Sequence, residues 1–185
     1  MILGLDTETT GLNSATDRII ELCLGVYKDD GTFVQNVTMR FNPQMAIDPK
    51  TIAIHHITNE DVMAEPTFSE RAKALHALVS KADLMVVHNS EFDVPFLRTE
   101  FMRCGLTAPD ILVFDTMLES RWATPDGKYP KLGELCWALD VDYNTDEAHA
   151  ADYDVDVMMK CFFEMNERGF MTENVRPFKE IQQLK

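Results

Sequence analysis

Apolar positions fall into short runs in the first part of the chain and into helical spacing in the last. Ile2 to Asp6 is an apolar run that ends in acids, and Ile19 to Lys28 is a longer one rich in β-branched residues. Both read as strands. Asp29-Asp30-Gly31 is a tight-turn sequence, so Thr32 to Phe41 is expected to return as a third strand, antiparallel to the second. Pro43 to Asp61 shows no sustained period and reads as an irregular connection. Thr67-x-x-Glu70 is a capping box that opens a helix through about Ser80, with Leu75, Leu78 and Val79 on its apolar side. Asp83 to His88 is a short buried strand, followed by a helix from about Val94 to Cys104 that Gly105 stops. Pro95 is tolerable only in the first turn of such a helix. Ile111 to Phe114 reads as a strand, Asp115 to Trp122 and Leu132 to Leu139 as short helices. The clearest helix carries Val155, Met158, Met159, Phe162 and Phe163 at i, i+3, i+4, i+7, i+8 and ends near Gly169. Residues 170 to 185 form a short extension or a final helix.

Strands first, then alternating helices and strands, give an α/β fold with a mixed central sheet. At 185 residues the chain is expected to form one domain with a sizeable core. A hydrophobic fraction of 45% with 26% charged residues is that of an ordinary soluble protein, and no apolar run is long enough to span a bilayer. No basic region precedes the first apolar stretch, so a signal peptide is not expected. Cys23, Cys104, Cys136 and Cys161 are far apart in apolar surroundings, which points to free thiols in a reducing, cytoplasmic setting and away from a zinc site. The net charge of −14 argues against long-range electrostatic capture of nucleic acid. Acids that hold divalent metals would count toward that charge, yet present a cationic centre once loaded.

Three stretches could carry chemistry. In "DTETTGL", Asp6 and Glu8 lie on one face of a strand, about 7 Å apart along the backbone, a spacing from which two carboxylates can share hard cations. The plainer alternative is a pair of solvated acids where the chain leaves the core. In "HNSEFDVPFL", Asp93 sits among apolar residues after a buried strand, as a functional carboxylate or as a helix-start acid favoured by the dipole. Asn89 orients a nearby group or simply shapes the turn. In "DEAHAADYDVDV", His149 precedes Asp152, Asp154 and Asp156 at the start of the last helix; helical geometry alone does not select a ligand among them, and a solvated helix start is the simpler reading.

Taken together and in order, the three stretches resemble the DEDDh family of 3′–5′ exonucleases, a ribonuclease-H-like group that includes the proofreading subunits of bacterial DNA polymerase III. The family's Asp-x-Glu matches Asp6 and Glu8; its Asn-x-x-x-Asp, with Phe before the Asp, matches Asn89, Phe92 and Asp93; its His-x-Ala-x-x-Asp matches His149, Ala151 and Asp154. Ala150 stands where the sister branch has tyrosine, which places the chain in the histidine branch. Two positions depart from the commonest pattern: Val155 stands where the family often has alanine, and Asp152 where it often has an apolar residue. The resemblance covers residues 1 to 169, leaving 170 to 185 as a C-terminal extension.

The resemblance implies a ribonuclease-H-like sheet, with three antiparallel strands and then parallel ones, flanked by helices. It implies two divalent metal ions, Mg²⁺ with Mn²⁺ able to substitute, held by Asp6, Glu8, Asp93 and Asp154, with His149 as general base and nucleoside 5′-monophosphates as products. Thr9, Leu12, His55, Asn89 and Phe92 are the implied substrate-binding residues, although each also has an ordinary reading as a core or loop residue. Glu21 and Asp115 recur in relatives and read as structural, a strand-face acid and a helix N-cap. The expected partner is a single-stranded DNA 3′ end, with a DNA polymerase or another replication or repair protein as a further one. The alternatives are an exoribonuclease acting on short RNA, a non-catalytic nucleic-acid-binding module, and an acidic protein with a structural cation site. The chain stops soon after the exonuclease-like region, without the long tail of the polymerase subunit. It is therefore expected to act alone, to dimerise, or to pair through residues 170 to 185.

Overall fold

The structure is a computed structural model and describes residues 1–148, 150–172 and 174–183. A mixed sheet forms its centre: β1 (Ile2–Thr9), β2 (Ile19–Tyr27), β3 (Phe33–Arg40), β4 (Leu84–Val87), β5 (Leu112–Asp115) and β6 (Arg176–Pro177), in the order β3-β2-β1-β4-β5-β6. β1, β2 and β3 are antiparallel neighbours, β4 and β5 continue parallel to β1, and β6 pairs antiparallel with β5. This is the ribonuclease-H-like arrangement that the sequence implies. Among the described residues, six α-helices accompany it: α1 (Pro49–His55), α2 (Asn59–Met63), α3 (Phe68–Val79), α4 (Ser90–Arg103), α5 (Leu132–Ala138) and α6 (Ala151–Glu167).

Alternation along β1 sorts the two faces of the sheet. Leu3 and Leu5 pack with Leu75, Val79, Leu97 and Phe101 of α3 and α4. Gly4 instead lies against Met159 and Val155 of α6, the face where Val86 and Phe114 join Leu135 of α5. β2 is buried along its whole length, whereas β3 is a largely exposed edge. No helix among the described residues is long and apolar enough to cross a membrane.

Several elements differ from the pattern-based expectation. β1 runs on to Thr9 rather than stopping at Asp6, because its polar end stays paired with β2; a register shift between Glu8 and Thr9 then turns the chain out of the sheet. The connection from Pro43 to Asp61 holds two short helices, set by end caps rather than by an apolar period. The Asp48 side chain accepts from Lys50 N–H ahead of Pro49, and Thr58 and Asp61 form a capping box. α4 begins at Ser90, so Pro95 lies in its second turn and leaves the Glu91 carbonyl without its helical donor. Residues after Asp115 form a 3₁₀ segment, Leu118–Ala123, broken at Ser120, in place of an α-helix. The tail forms no α-helix among its described residues. β6 and a 3₁₀ turn, Phe178–Glu180, bring Phe178 and Ile181 into the core.

Candidate active site

Four carboxylates come from three elements at one end of the sheet. Asp6 and Glu8 project from β1 on the side that faces α6. Glu8 stands opposite Glu21 of β2, which in turn stands opposite Arg40 of β3 and accepts from its Nε at 2.5 Å. Asp93 lies in the first turn of α4, 3% exposed, and its Oδ1 accepts a 2.7 Å hydrogen bond from Thr7 Oγ1. Thr7 is on the opposite face of β1 from Asp6 and Glu8, so the strand presents two acids on one side and holds a third from the other. Asp154 lies in the first turn of α6, partly buried.

The start of α4 is fixed by β5. Asn89 adopts a left-handed conformation with φ 81°, a backbone that asparagine tolerates better than most residues. Asp115 at the end of β5 accepts from the N–H groups of Asn89 (3.2 Å) and Ser90 (2.7 Å). It also accepts from Met117 and Leu118 N–H, so one carboxylate organises two chain turns beside the site.

Burial, reinforced by like charge, makes these carboxylates reluctant to ionise. Asp6 is raised well above the ordinary carboxylate range, first by burial and then by the charges of Asp93, Glu8, Asp154 and Glu21. Glu8 is raised to about 8 by burial and by Asp93, Asp154 and Glu21. Burial raises Asp93 to about 7, while the Thr7 hydrogen bond pulls in the opposite direction. Among the described residues, no lysine or arginine forms an ion pair with Asp6, Glu8 or Asp93. Buried like charges of this kind are either protonated or offset by a cation. The donor set is all oxygen and fits a hard divalent ion such as Mg²⁺ or Mn²⁺. Among the described residues, no three of these side chains already converge in ligating geometry.

The two acids at the start of α6 differ in surroundings. Asp152 is exposed and accepts from Tyr153 N–H at 2.9 Å, whereas the charge of Asp154 is felt by Asp6 and Glu8. His149 lies outside the described residues.

The implied substrate residues divide. Leu12, Asn89 and Phe92 come together, with Glu91 and Gln183, around a cavity of about 210 Å³. Leu12 is 71% exposed there, and Phe92 packs on Phe96. Thr9 is buried under the loop, where its hydroxyl donates to the Gly11 carbonyl at 2.6 Å. His55 is buried at the end of α1, and its Nδ1 accepts from Ile57 N–H. It lines a different cavity, of about 480 Å³, with Asn36, Asp152, Tyr153 and Asp156. Sequence reasoning missed Thr7, whose only signal is its place between the two acids. It also missed Gln183, which carries no signal.

Residues 3–162 match the exonuclease family model, RNase_T. The DNA polymerase III epsilon subunit of Treponema pallidum is 33% identical over 167 residues, 88% of this chain and 74% of that protein. Exonuclease X, solved in complex with 5′ overhanging duplex DNA, superposes with a TM-score of 0.66 at 25% identity, over 94% of this chain and 96% of its own. Escherichia coli exonuclease I, solved in complex with a dT13 oligonucleotide, shares the fold with a TM-score of 0.77 at 19% identity. The match covers 90% of this chain but only 41% of exonuclease I, and against PolC-type DNA polymerase III the chain spans 12% of that protein's length.

Proposed function

This chain belongs to the exonuclease family, and on that premise we propose that it is a metal-dependent 3′–5′ exonuclease that releases nucleoside 5′-monophosphates from single-stranded DNA ends. The observation that carries the reading is the set of carboxylates from β1 and α4, Asp93 buried and Asp6 and Glu8 partly so, with Asp6 and Glu8 raised by burial and by neighbouring acids, Asp93 raised by burial, and no basic side chain paired to any of the three among the described residues. Two divalent ions held by Asp6, Glu8, Asp93 and Asp154 would supply the positive charge that stabilises the attacking and leaving oxygens of an in-line displacement.

The chain's own residues then have separate tasks. His149 takes the proton of the attacking water, a role that an imidazole suits near neutral pH. The water oxygen forms the new bond to phosphorus as the bond to the 3′ oxygen of the shortened strand breaks; that oxygen leaves as a hydroxyl after taking up a proton. Leu12 and Phe92 give the 3′-terminal nucleotide apolar walls, and Asn89 adds a polar edge held in place through Asp115. The likeness to epsilon subunits supports association with a DNA polymerase as the biological setting.

The test is degradation of a 5′-labelled single strand of DNA beside the matching RNA. A ladder that shortens from the 3′ end, faster on DNA, is expected. Faster loss of RNA would reassign the substrate, and no cleavage of either would contradict the proposal.

A further inference from the structure

The chain from β6 onward returns to the candidate site along α4. Arg176 donates to Ser90 Oγ at 2.6 Å and to Glu91 Oε1 at 3.2 Å. Phe178 and Ile181 are buried, and Arg98 of α4 donates to the carbonyls of Lys179 and Ile181. This strap ends, among the described residues, at Gln183, whose amide bonds through both its oxygen and its nitrogen on one side of the cavity. Its Oε1 accepts from Ser14 N–H at 3.0 Å and from Ser14 Oγ at 2.9 Å, and its Nε2 donates to the Leu12 carbonyl at 2.6 Å.

Those three bonds reach a loop that has few other restraints at Leu12. Further along, Arg103 of α4 donates to the carbonyls of Ser14, Ala15 and Asp17, so the loop stays anchored there without Gln183. Leu12 is the outlying part: an apolar side chain held 71% exposed beside Asn89 and Phe92. Placed beside Phe92 at this cavity, it offers apolar surface on which a flat or apolar group of a ligand packs.

We propose that Gln183 is a positioning residue for the 3′-terminal nucleotide: it clamps the Leu12–Ser14 loop and thereby sets the Leu12 wall of the cavity that Phe92 shares. The inference rests on the exonuclease reading above and makes the tail a part of the substrate site. The amide is required in one orientation. Glutamate at this position keeps the acceptor for Ser14 but turns a carboxylate oxygen against the Leu12 carbonyl.

The test measures KM and kcat of the full chain on a single-stranded oligonucleotide with Mg²⁺, for wild type, Gln183→Ala, Gln183→Glu, Leu12→Ala and the Leu12→Ala/Gln183→Ala double variant. Each single change is expected to raise KM about tenfold, with kcat within about twofold of wild type. The melting temperature should hardly move, because Arg103 keeps the loop anchored. The double variant should be no worse than Leu12→Ala, since a clamp has no effect once the side chain it places is gone. An unchanged KM for Gln183→Ala, or multiplicative effects in the double variant, would overturn the assignment while leaving the exonuclease reading intact. A wild type that cleaves nothing would overturn both.

Discussion

Thr7 Oγ1 donates to Asp93 Oδ1 at 2.7 Å, joining residues 86 positions apart in sequence through the buried side of β1. The strand therefore sets both halves of the acidic cluster: Asp6 and Glu8 by its own alternation, and Asp93 by the hydroxyl between them. A hydrogen bond to a carboxylate favours its charged form. Thr7→Val keeps the shape and removes that bond, so Asp93 should protonate more readily. Hydrogen bonds to charged groups are worth about 1.5–3 kcal/mol, so the acidic limb of the activity–pH profile should move up by about one unit or more, with activity recovered at higher pH. A profile unchanged in position would show that Thr7 does not tune Asp93.

Without metal, the cluster should make stability fall as pH rises. Glu8 is raised to about 8 and Asp93 to about 7, with Asp6 also well above its ordinary value. The folded protein then binds more protons than the unfolded chain between the ordinary carboxylate range, near pH 4, and the raised values. Stability contributed by the protonated groups is fully present below that window and is lost progressively as pH rises across it, up to the raised values of about 7 and about 8. The melting temperature of chelator-treated protein should drop across this range, and Mg²⁺ or Mn²⁺ should restore it most at the alkaline end. Asp6→Asn should flatten the metal-free dependence. A metal-free melting temperature that climbs with pH would contradict the electrostatic description.

Val155, which stands where the family often has alanine, packs into space left by two glycines. A Cβ built on Gly25 of β2 would meet Val155 Cγ1 at 2.7 Å, and one on Gly4 of β1 would meet it at 3.1 Å. Gly25→Ala should therefore destabilise the fold by about 1–3 kcal/mol, the range for overpacking a core. Adding Val155→Ala should return most of that loss, read as the coupling in a double-mutant cycle by denaturant unfolding. Additive losses would mean that the strain lies elsewhere.

Legibility in the sequence followed the physical origin of each feature. The β2–β3 hairpin rests on an apolar run and a turn sequence, and α6 on apolar periodicity; both stand where the pattern puts them. α1 and α2 have seven and five residues, too few to show a period, and their caps look like ordinary loop residues. α4 begins at Ser90, ahead of the start near Val94 that the pattern predicts, because its first turn follows a left-handed asparagine and Pro95 is accommodated inside the helix. At the site, Asp6, Glu8, Asp93 and Asp154 could be picked out by spacing and resemblance, and the fold brings their elements to one end of the sheet. Asp115 caps the turn after it, as its sequence reading has it, and its bonds to Asn89 and Ser90 are the added part. Thr7 and Gln183 act through partners 86 and 171 residues away, and no local pattern encodes such pairings.

The measurement that bears most directly on the acidic cluster is the Mg²⁺ dependence of 3′-end degradation by wild type, Asp6→Ala and Asp154→Ala, with folding checked by circular dichroism. Groups that stabilise transition-state charge carry factors of roughly 10²–10³ each, so each variant should lose more than about a hundredfold in rate while remaining folded. Wild type should show no cleavage in chelator and saturable activation by Mg²⁺ or Mn²⁺. Cleavage that survives chelation, or an Asp6→Ala variant that degrades DNA at the wild-type rate, would contradict the metal-dependent site described above.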